Sequence, residues 1–177
     1  LINDTGVKEI ITFCPGCYRS LQHDYPEVPG VTALKAKVYH ASEYIDMLIE
    51  NKRLVLKGKI DMKVTWHDPC HMGRHCGIYE PPRRILKAIP GIELVEMERI
   101  KDQSWCCGGG GGARAAYPDF ARNTALKRIA EAKKTGAQAI VTQCPFCEQN
   151  ISEALTHADD GMQLLDLNEL LIQVLPE

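Results

Sequence analysis

Five cysteines of this chain form a spaced set that could ligate metal. Cys70 stands alone, 35 residues separate it from the adjacent pair Cys106 and Cys107, and 36 residues separate that pair from a C-P-F-C clip with Cys144 and Cys147. A tetrahedral zinc site takes four ligands, whereas this set offers five thiols. The α-carbons of adjacent residues lie ~3.8 Å apart, so the paired cysteines serve two irons of one cluster more easily than they chelate one ion. The pattern indicates a polynuclear iron–sulfur redox site.

Five glycines, residues 108 to 112, follow the cysteine pair. They do not read as a phosphate-binding loop, because no Gly-Lys-Ser/Thr follows and matches to G-x-G inside a glycine run have little specificity. Glycine lets the backbone approach an anionic cluster closely and donate N–H groups to its sulfurs. We therefore expect Gly108 and Gly109 to contact the bound group.

Three histidines, His67, His71 and His75, surround Cys70 at intervals of four residues. Pro69 and Gly73 argue against the continuous helix that would align them as one metal-binding face. The histidines are interpreted mainly as structural groups or supports for the ligands, with His71 as the candidate that protonates a substrate. A separate zinc site is the remaining alternative.

Other residues near Cys70 have simpler interpretations. Cys76 lies outside the spaced set and is interpreted as a spare free thiol. Arg74 is interpreted as a surface ion-pairing group, with a role in holding a carboxylate or phosphate as the alternative. Trp66 and Trp105 are predicted to be core aromatics that flank the site.

The segments around these cysteines resemble one known family. HDPCHMGR at 67–74, IYEPPR at 78–83 and CCG at 106–108 are similar to the second cysteine-rich CCG module of heterodisulfide reductase. In that family two different subunits carry the module, one of them in its C-terminal part. Glycolate and lactate oxidase iron–sulfur subunits contain the same module. The resemblance covers residues 60 to 150 closely.

The resemblance implies a noncubane 4Fe-4S cluster held by the five cysteines, with Cys106, Cys107 and His71 at a catalytic centre that reduces disulfides. Splitting a disulfide takes two electrons, which a cluster delivers singly. Related modules instead pass electrons between a flavin dehydrogenase and a quinone or haem partner, so a relay subunit is the alternative. A structural zinc module at a protein interface and a simple dithiol oxidoreductase are the two rivals from other classes.

The start of the chain repeats the last clip. Residues 5–17 align with residues 135–147 at an offset of 130, with identity at seven of thirteen positions, and the aligned clip contains Cys14 and Cys17. We interpret this as an internal duplication. The expected organisation is a truncated first module over 1–60 and a complete module over 61–177, within a fragment of a longer protein. Cys14 and Cys17 are then candidate ligands for zinc or for a second cluster.

Composition excludes several functional classes. The 177 residues are 45% apolar and 25% charged, with a net charge of −2 and a pI near 6.3, which gives no basic surface for nucleic acid. No apolar run is long enough to span a membrane. Eight cysteines arranged with C-P-x-C clips favour a reducing, cytoplasmic location over a disulfide scaffold, with membrane association only through partner subunits. The expected partners are ferredoxin-like, flavoprotein or cytochrome subunits and a disulfide or other small-molecule substrate.

The elements that must position these residues alternate between strands and helices. Apolar runs predict strands at 9–13, 62–66, 92–97 and 139–142. Helices are predicted from a Ser42 cap over 43–51, from Pro81 to Pro90, from Pro118 to about residue 135, and over 162–175. The alternation predicts an α/β fold with parallel Rossmann-like sheets flanked by helices. The cysteines then lie at strand ends, where such sheets bind ligands.

Overall fold

The computed structural model describes residues 1–158 and 161–176, and its strands form two parallel sheets flanked by helices. The strands are β1 (Glu9–Thr12), β2 (Lys37–His40), β3 (Met62–Trp66), β4 (Ile92–Val95), β5 (Ala139–Thr142) and β6 (Gln163–Asp166). The α-helices are α1 (Pro15–Arg19), α2 (Ala41–Glu50), α3 (Glu80–Ala88), α4 (Ala113–Ala116), α5 (Pro118–Lys133), α6 (Pro145–Leu155) and α7 (Leu167–Val174). The predicted α/β class is confirmed.

The larger sheet has the strand order β4-β3-β5-β6, and all its pairs are parallel. From β3 the chain moves outward to β4 on one side, whereas from β5 it moves to β6 on the other side. The carboxyl ends of the neighbouring strands β3 and β5 therefore lie at a topological switch point. In open α/β sheets a ligand crevice forms there.

Successive side chains of the central strands point to opposite faces of the larger sheet and contribute to two cores, one on each face. Ala139 and Val141 of β5 join the core that contains Trp66 and the apolar residues of α3 and α7. Ile140, between them, faces the other core, which α5 and α6 supply together with Cys107, Cys144 and Cys147. Since these three cysteines are part of a packed core, the packing fixes their positions.

The smaller sheet pairs β1 with β2 and packs beside the first core. Tyr18 and Val38 from this part of the chain join the apolar residues of the larger sheet in one cluster. The division into modules at residue 60 stays a prediction.

Several predicted elements match the structure and others need correction. The strands at 62–66 and 139–142 are correct to the residue, whereas the strand predicted over 92–97 ends at Val95. The helix predicted from a Ser42 cap begins instead at Ala41, because the ring of His40 accepts the Ser42 N–H and acts as the N-cap.

The helix predicted over 162–175 is wrong in its first part. Residues Gln163–Asp166 form β6 and pair with β5, and only Leu167–Val174 are helical. The apolar spacing of this segment fits a helical period throughout, so the sequence pattern does not reveal the strand that the open edge of β5 stabilises.

The prediction that Trp105 is a core aromatic is also wrong. Trp105 is 42% exposed, and its ring lies under the guanidinium of Arg99.

Candidate metal centre

The five spaced cysteines meet at the carboxyl edge of the larger sheet. Cys70 lies in the loop after β3, and Cys106 and Cys107 lie in the loop that follows β4. Cys144 and Cys147 follow β5, with Cys144 as the N-cap of α6 and Pro145 in its first turn. The C-P-F-C clip is thus a helix start rather than an isolated turn, and the helix holds both thiols on its first turn.

The five thiols are neighbours in one continuous series, the thiol chain. Cys106 interacts with Cys70 on one side and with Cys107 on the other. Cys147 interacts with both Cys107 and Cys144. The adjacent pair therefore bridges the lone cysteine and the clip, and the structure brings all five together.

The interactions among the five thiols oppose the ionisation of all of them. Hydrogen bonds from Cys107 and Cys70 hold the pKa of Cys106 far below its usual value. The interaction with Cys106 raises the pKa of Cys70. The interaction with Cys106 also raises the pKa of Cys107, to about 12. The pKa of Cys147 also rises well above normal, first through its bond to Cys107. Several thiolates can coexist here only if a bound cation compensates their charge.

Backbone N–H groups point at the sulfurs. Gly108 donates to Cys106 Sγ at 3.3 Å, and Gly109 donates to Cys107 Sγ at 3.4 Å. The bond from the Cys147 thiol, aided by the N–H groups of Cys147 and Phe146, lowers the pKa of Cys144 to about 7 although burial opposes this. Such donors stabilise sulfur in its anionic, metal-bound form.

The glycine run divides into a packed part and an open part. A Cβ on Gly109 would lie 2.8 Å from the Phe146 carbonyl oxygen and 2.7 Å from Asn150 Cβ. Gly108 has φ +86°, and a Cβ there would meet Thr124 at 2.8 Å. A Cβ on Gly110 would have no heavy atom of the other described residues within 4 Å, its two chain neighbours aside. The first two positions therefore need glycine for close packing, whereas Gly110 faces free space.

That free space is a cavity of ≈370 Å³. All five thiols line it, together with His71, Gly108 and Gly110. Phe120 and Phe146, which are 63% and 55% exposed, also line it and make much of its wall apolar. The cavity thus has a wall of thiols, which suit soft metals, and a wall of apolar side chains.

The donor set fits a polynuclear cluster better than one zinc ion. Among the described residues, the tight group of metal-ligating atoms is a nitrogen of His67 with the sulfurs of Cys107 and Cys147, all within 4.8 Å of one another. Three donors fall short of the four that structural zinc takes. Five thiols spread around a cavity match a larger group, and their role as ligands stays a prediction.

Buried ion pairs fix the loop that carries Cys70. The carboxylate of Asp68 accepts both terminal guanidinium nitrogens of Arg83 at 2.7 and 2.8 Å, and it also accepts the Trp66 indole N–H at 3.0 Å. Arg83 in turn binds Glu96 after β4. Burial raises the pKa of Asp68, but the bonds from Arg83 outweigh it and leave that pKa below normal. The network ties the loop after β3 to the segment that leads to the cysteine pair.

The three histidines have different positions. His67 is fully buried, and burial lowers its pKa to about 3. His71 is half-buried on the cavity wall, with its ring 5.0 Å from the ring of the exposed His75. The structure therefore separates a buried histidine from one that a substrate could reach.

The first clip lies next to this cavity but outside the thiol chain. Cys14 is the N-cap of α1, and its Sγ accepts the Cys17 N–H at 3.4 Å. Gly16, between them, lines the cavity, and a Cβ on it would be 3.7 Å from both Cys14 Sγ and His71 Nδ1. Cys17 is exposed. What this clip binds stays a prediction.

Arg74 and Cys76 do not line the cavity. The guanidinium of Arg74 donates to the carbonyl oxygens of Ser104 and Asp102 and so supports the loop before the cysteine pair. The side chain of Cys76 packs against the first core, and burial raises its pKa. Arg74 is thus already engaged by backbone carbonyls.

Sequence reasoning missed Arg128, Asn150 and the two phenylalanines of the cavity wall. Arg128 is fully buried in α5 and donates to His67 Nδ1 at 3.2 Å. Asn150 of α6 donates to the carbonyl oxygens of Cys107 and Ala121 at 2.7 and 3.0 Å. In the sequence, Arg128 and Asn150 could be recognised only as polar side chains on a helix face that packs inward.

Comparisons with known proteins agree with this site. The family model described as the CCG cysteine-rich domain matches residues 64–152. A subunit of the dihydromethanophenazine:CoB–CoM heterodisulfide reductase of Methanosarcina acetivorans is 37% identical over 174 residues, 98% of this chain and 42% of the relative. A subunit of the fumarate reductase (CoM/CoB) of Methanothermobacter marburgensis is 36% identical over 94% of this chain and 32% of the relative.

A third relative is the EtfAB:quinone oxidoreductase of Syntrophomonas wolfei, 33% identical over 96% of this chain and 24% of the relative. The chain thus spans less than half the length of each of these relatives. Within the described residues, every helix is too short or too polar to cross a membrane. The predicted family resemblance is confirmed over the segment that carries all five cysteines.

Proposed function

Because the chain belongs to the CCG cysteine-rich domain family, we propose that its five-thiol site holds a noncubane 4Fe-4S cluster and reduces disulfides, as part of a heterodisulfide reductase-type oxidoreductase. The proposed ligands are Cys70, Cys106, Cys107, Cys144 and Cys147. When bound, such a cluster supplies electrons one at a time beside a substrate cavity. The observation that carries the proposal is the convergence of five thiols on one cavity at the switch point of the sheet.

The residues of this chain would each perform a separate task. The Gly108 and Gly109 N–H groups donate to sulfur and favour its anionic form. Phe120 and Phe146 give the cavity an apolar surface for the substrate. Reduction of a disulfide consumes two electrons and two protons and yields two thiols. His71 lies on the cavity wall and is the proposed proton donor at its ring nitrogen.

Electron relay is the second candidate function. The name of the relative from Syntrophomonas wolfei states transfer between EtfAB and quinone rather than disulfide cleavage. A relay needs the same ligands but no space for a disulfide beside the cluster. We favour disulfide reduction because Gly110 leaves part of the cavity wall without a side chain.

A valine at Gly110 separates these two functions. Gly110 lines the cavity, its φ is outside the left-handed region, and a Cβ on it would have open space, so Gly110→Val is accommodated and adds bulk at the cavity wall. We expect the variant of the natural protein, purified without air, to accept electrons from a reduced viologen dye at the normal rate. We expect it to lose most of its cleavage of the CoB–CoM heterodisulfide, because the side chain occupies the substrate's space.

Ala130→Val, on the exposed face of α5, is the matched control and should keep both activities. If Gly110→Val cleaves the disulfide as fast as the unmodified protein, the substrate does not bind beside this glycine. If the unmodified protein cleaves no disulfide but reduces a quinone analogue rapidly, the relay is the function of the site.

Partners and location belong to the same proposal. We propose redox partner subunits, because two of the three relatives are named as subunits of larger reductases. All eight cysteines are free thiols, which supports a reducing cytoplasmic location, with membrane contact only through partners. For Cys14 and Cys17 we propose zinc or a second cluster, completed by ligands from outside this sequence.

A further inference from the structure

His67 lies between the candidate ligands and a buried arginine. One of its ring nitrogens and the sulfurs of Cys107 and Cys147 lie within 4.8 Å of one another. On the other side of the ring, Arg128 Nε donates to His67 Nδ1 at 3.2 Å. His67 Nε2 is buried, and among the described residues it has no hydrogen-bond partner. The Nε2 edge of the ring is therefore the one that remains for the sulfurs.

The bond from Arg128 decides which ring nitrogen carries the proton. A guanidinium only donates hydrogen bonds, so Nδ1 must offer its lone pair to accept one. A neutral imidazole has one lone pair and one N–H on its two nitrogens. With the lone pair used at Nδ1, the proton is on Nε2. Nε2 is then a donor and lacks the free lone pair that a metal ligand needs.

Further buried hydrogen bonds keep the Arg128 guanidinium in this position. Its Nη1 donates to the Arg99 carbonyl oxygen at 2.9 Å and to Glu131 Oε2 at 2.8 Å, and the side chain is fully buried. Glu131 is fixed in turn by the Arg99 backbone N–H at 2.7 Å. Moving the guanidinium would leave the buried Glu131 carboxylate with only the longer ion pair to Arg99 Nη1 at 3.5 Å, which is costly.

We propose that, when the cluster is bound, His67 donates its Nε2–H towards the thiolates of Cys107 and Cys147, and that Arg128 is the positioning residue that sets the tautomer for this. The inference rests on the cluster proposed above. A hydrogen bond to a ligating sulfur spreads its negative charge and stabilises the reduced, more anionic state of the cluster. His67 therefore raises the reduction potential without ligating iron.

The direct test uses the unmodified natural protein labelled with ¹⁵N-histidine. Electron–nuclear double resonance on the paramagnetic cluster should show a weak nitrogen coupling and an exchangeable proton, as expected of a hydrogen-bonded ring. A strong coupling typical of a nitrogen bound to iron would overturn the proposal, because His67 would then be a ligand.

Substitutions test the effect on the potential. His67→Phe keeps the bulk of the ring and removes the donor, so we expect the equilibrium constant for cluster reduction to fall about tenfold, or about 59 mV for one electron. Arg128→Met should give part of this shift, because the ring can then change tautomer, and Arg128→Lys should restore much of it. His75→Phe, the same substitution at an exposed ring, should leave the potential unchanged.

The outcomes separate this inference from the proposed function. Protein that binds no iron–sulfur cluster at all would refute the proposed function. A cluster of normal content whose potential is the same in His67→Phe as in the unmodified protein would refute only the role of His67. If His67→Phe does not fold, the resonance measurement on the unmodified protein still decides between donor and ligand.

Discussion

Two parts of this chain have the same order of elements and the same cysteine clip, but different surroundings. The first is β1-α1-β2-α2 and the second is β5-α6-β6-α7. In both, a cysteine is the N-cap of a helix that begins with proline, and a second cysteine follows in its first turn. Cys17 is exposed, whereas Cys147 is only 2% exposed and lies in the thiol chain.

The strand before each clip accounts for this difference. β5 pairs with β3 on one side and with β6 on the other, so Val141 is fully buried. Within the described residues β1 pairs only with β2, and the equivalent Ile11 is 43% exposed. The local sequence thus builds a two-thiol clip by itself, whereas the chemistry of the clip depends on what the neighbouring strands and loops bring to it.

The largest expected difference between the two clips is in metal content. We expect Cys147→Ser to remove most of the iron from the five-thiol site, because it breaks a buried ligand set. Cys17→Ser, the same substitution in the other clip, should leave that site occupied. Iron and acid-labile sulfide per chain, measured after purification without air, check this.

Cys107→Ser should resemble Cys147→Ser in this measurement. Cys76→Ser is the control, since its side chain packs against the core away from the cavity. Equal iron losses from the Cys17 and Cys147 variants would show that the two clips share one site.

The ion pairs around the two clips should differ next. Arg83→Met leaves the buried Asp68 carboxylate unpaired, which we expect to lower the free energy of unfolding by about 3–5 kcal/mol. Arg19→Met removes a partly exposed pair with Asp24 and should cost at most about 1 kcal/mol. Urea denaturation without air measures both values, and similar losses would mean that the Asp68 network does not support the site.

Adding one methyl group should also distinguish the surroundings of the two clips. Gly109→Ala places a Cβ 2.8 Å from the Phe146 carbonyl oxygen at the start of α6, so we expect a loss of about 1–3 kcal/mol and a weaker five-thiol site. Gly16→Ala in α1 meets its neighbours at 3.7 Å and should be neutral or slightly stabilising. Thermal unfolding of both variants checks this, and a stable Gly109→Ala variant would show that the glycine run is not closely packed.

Acid should lower the stability of the first part by protonating the residue that caps α2. His40 caps α2 where Asp166 caps α7, and burial lowers the pKa of His40 to about 4. The unfolded chain, with a histidine pKa of ~6.5, then binds the proton first, so stability is lost as the pH falls through 6.5 and the loss levels off below about 4. Between pH 7 and pH 5.5 we expect roughly 1 kcal/mol from this residue.

His40→Asn keeps a capping oxygen and removes the titration. Urea denaturation at the two pH values should therefore show a loss smaller by that amount in the variant. An unchanged pH dependence would show that protonation of His40 contributes nothing to acid unfolding.

Much of the fold could be predicted from the sequence because its central strands are short apolar runs with clear ends. β3 and β5 end at polar or ligand-bearing segments, which is why both were predicted to the residue. β6 could not be predicted in the same way. Its four residues continue the apolar spacing of α7, and only the free edge of β5 makes them a strand.

The site was predictable as a set of cysteines but not as an arrangement. The spacing of the thiols predicts that they belong together, since each follows a parallel strand. The contact of Arg128 with His67 joins residues 61 positions apart, and the packing of Gly109 against Asn150 depends on how α6 lies beside the loop. Such contacts depend on tertiary packing and leave no local pattern in the sequence.

The central claim is that the five-thiol site holds a cluster of several irons. Metal and sulfide analysis of the natural protein, purified without air, tests it most directly. We expect brown protein with about four irons and about four sulfides for each complete site, since five thiolates converge there. Colourless protein that carries one zinc per chain and no sulfide would contradict the account and make the site a structural zinc module.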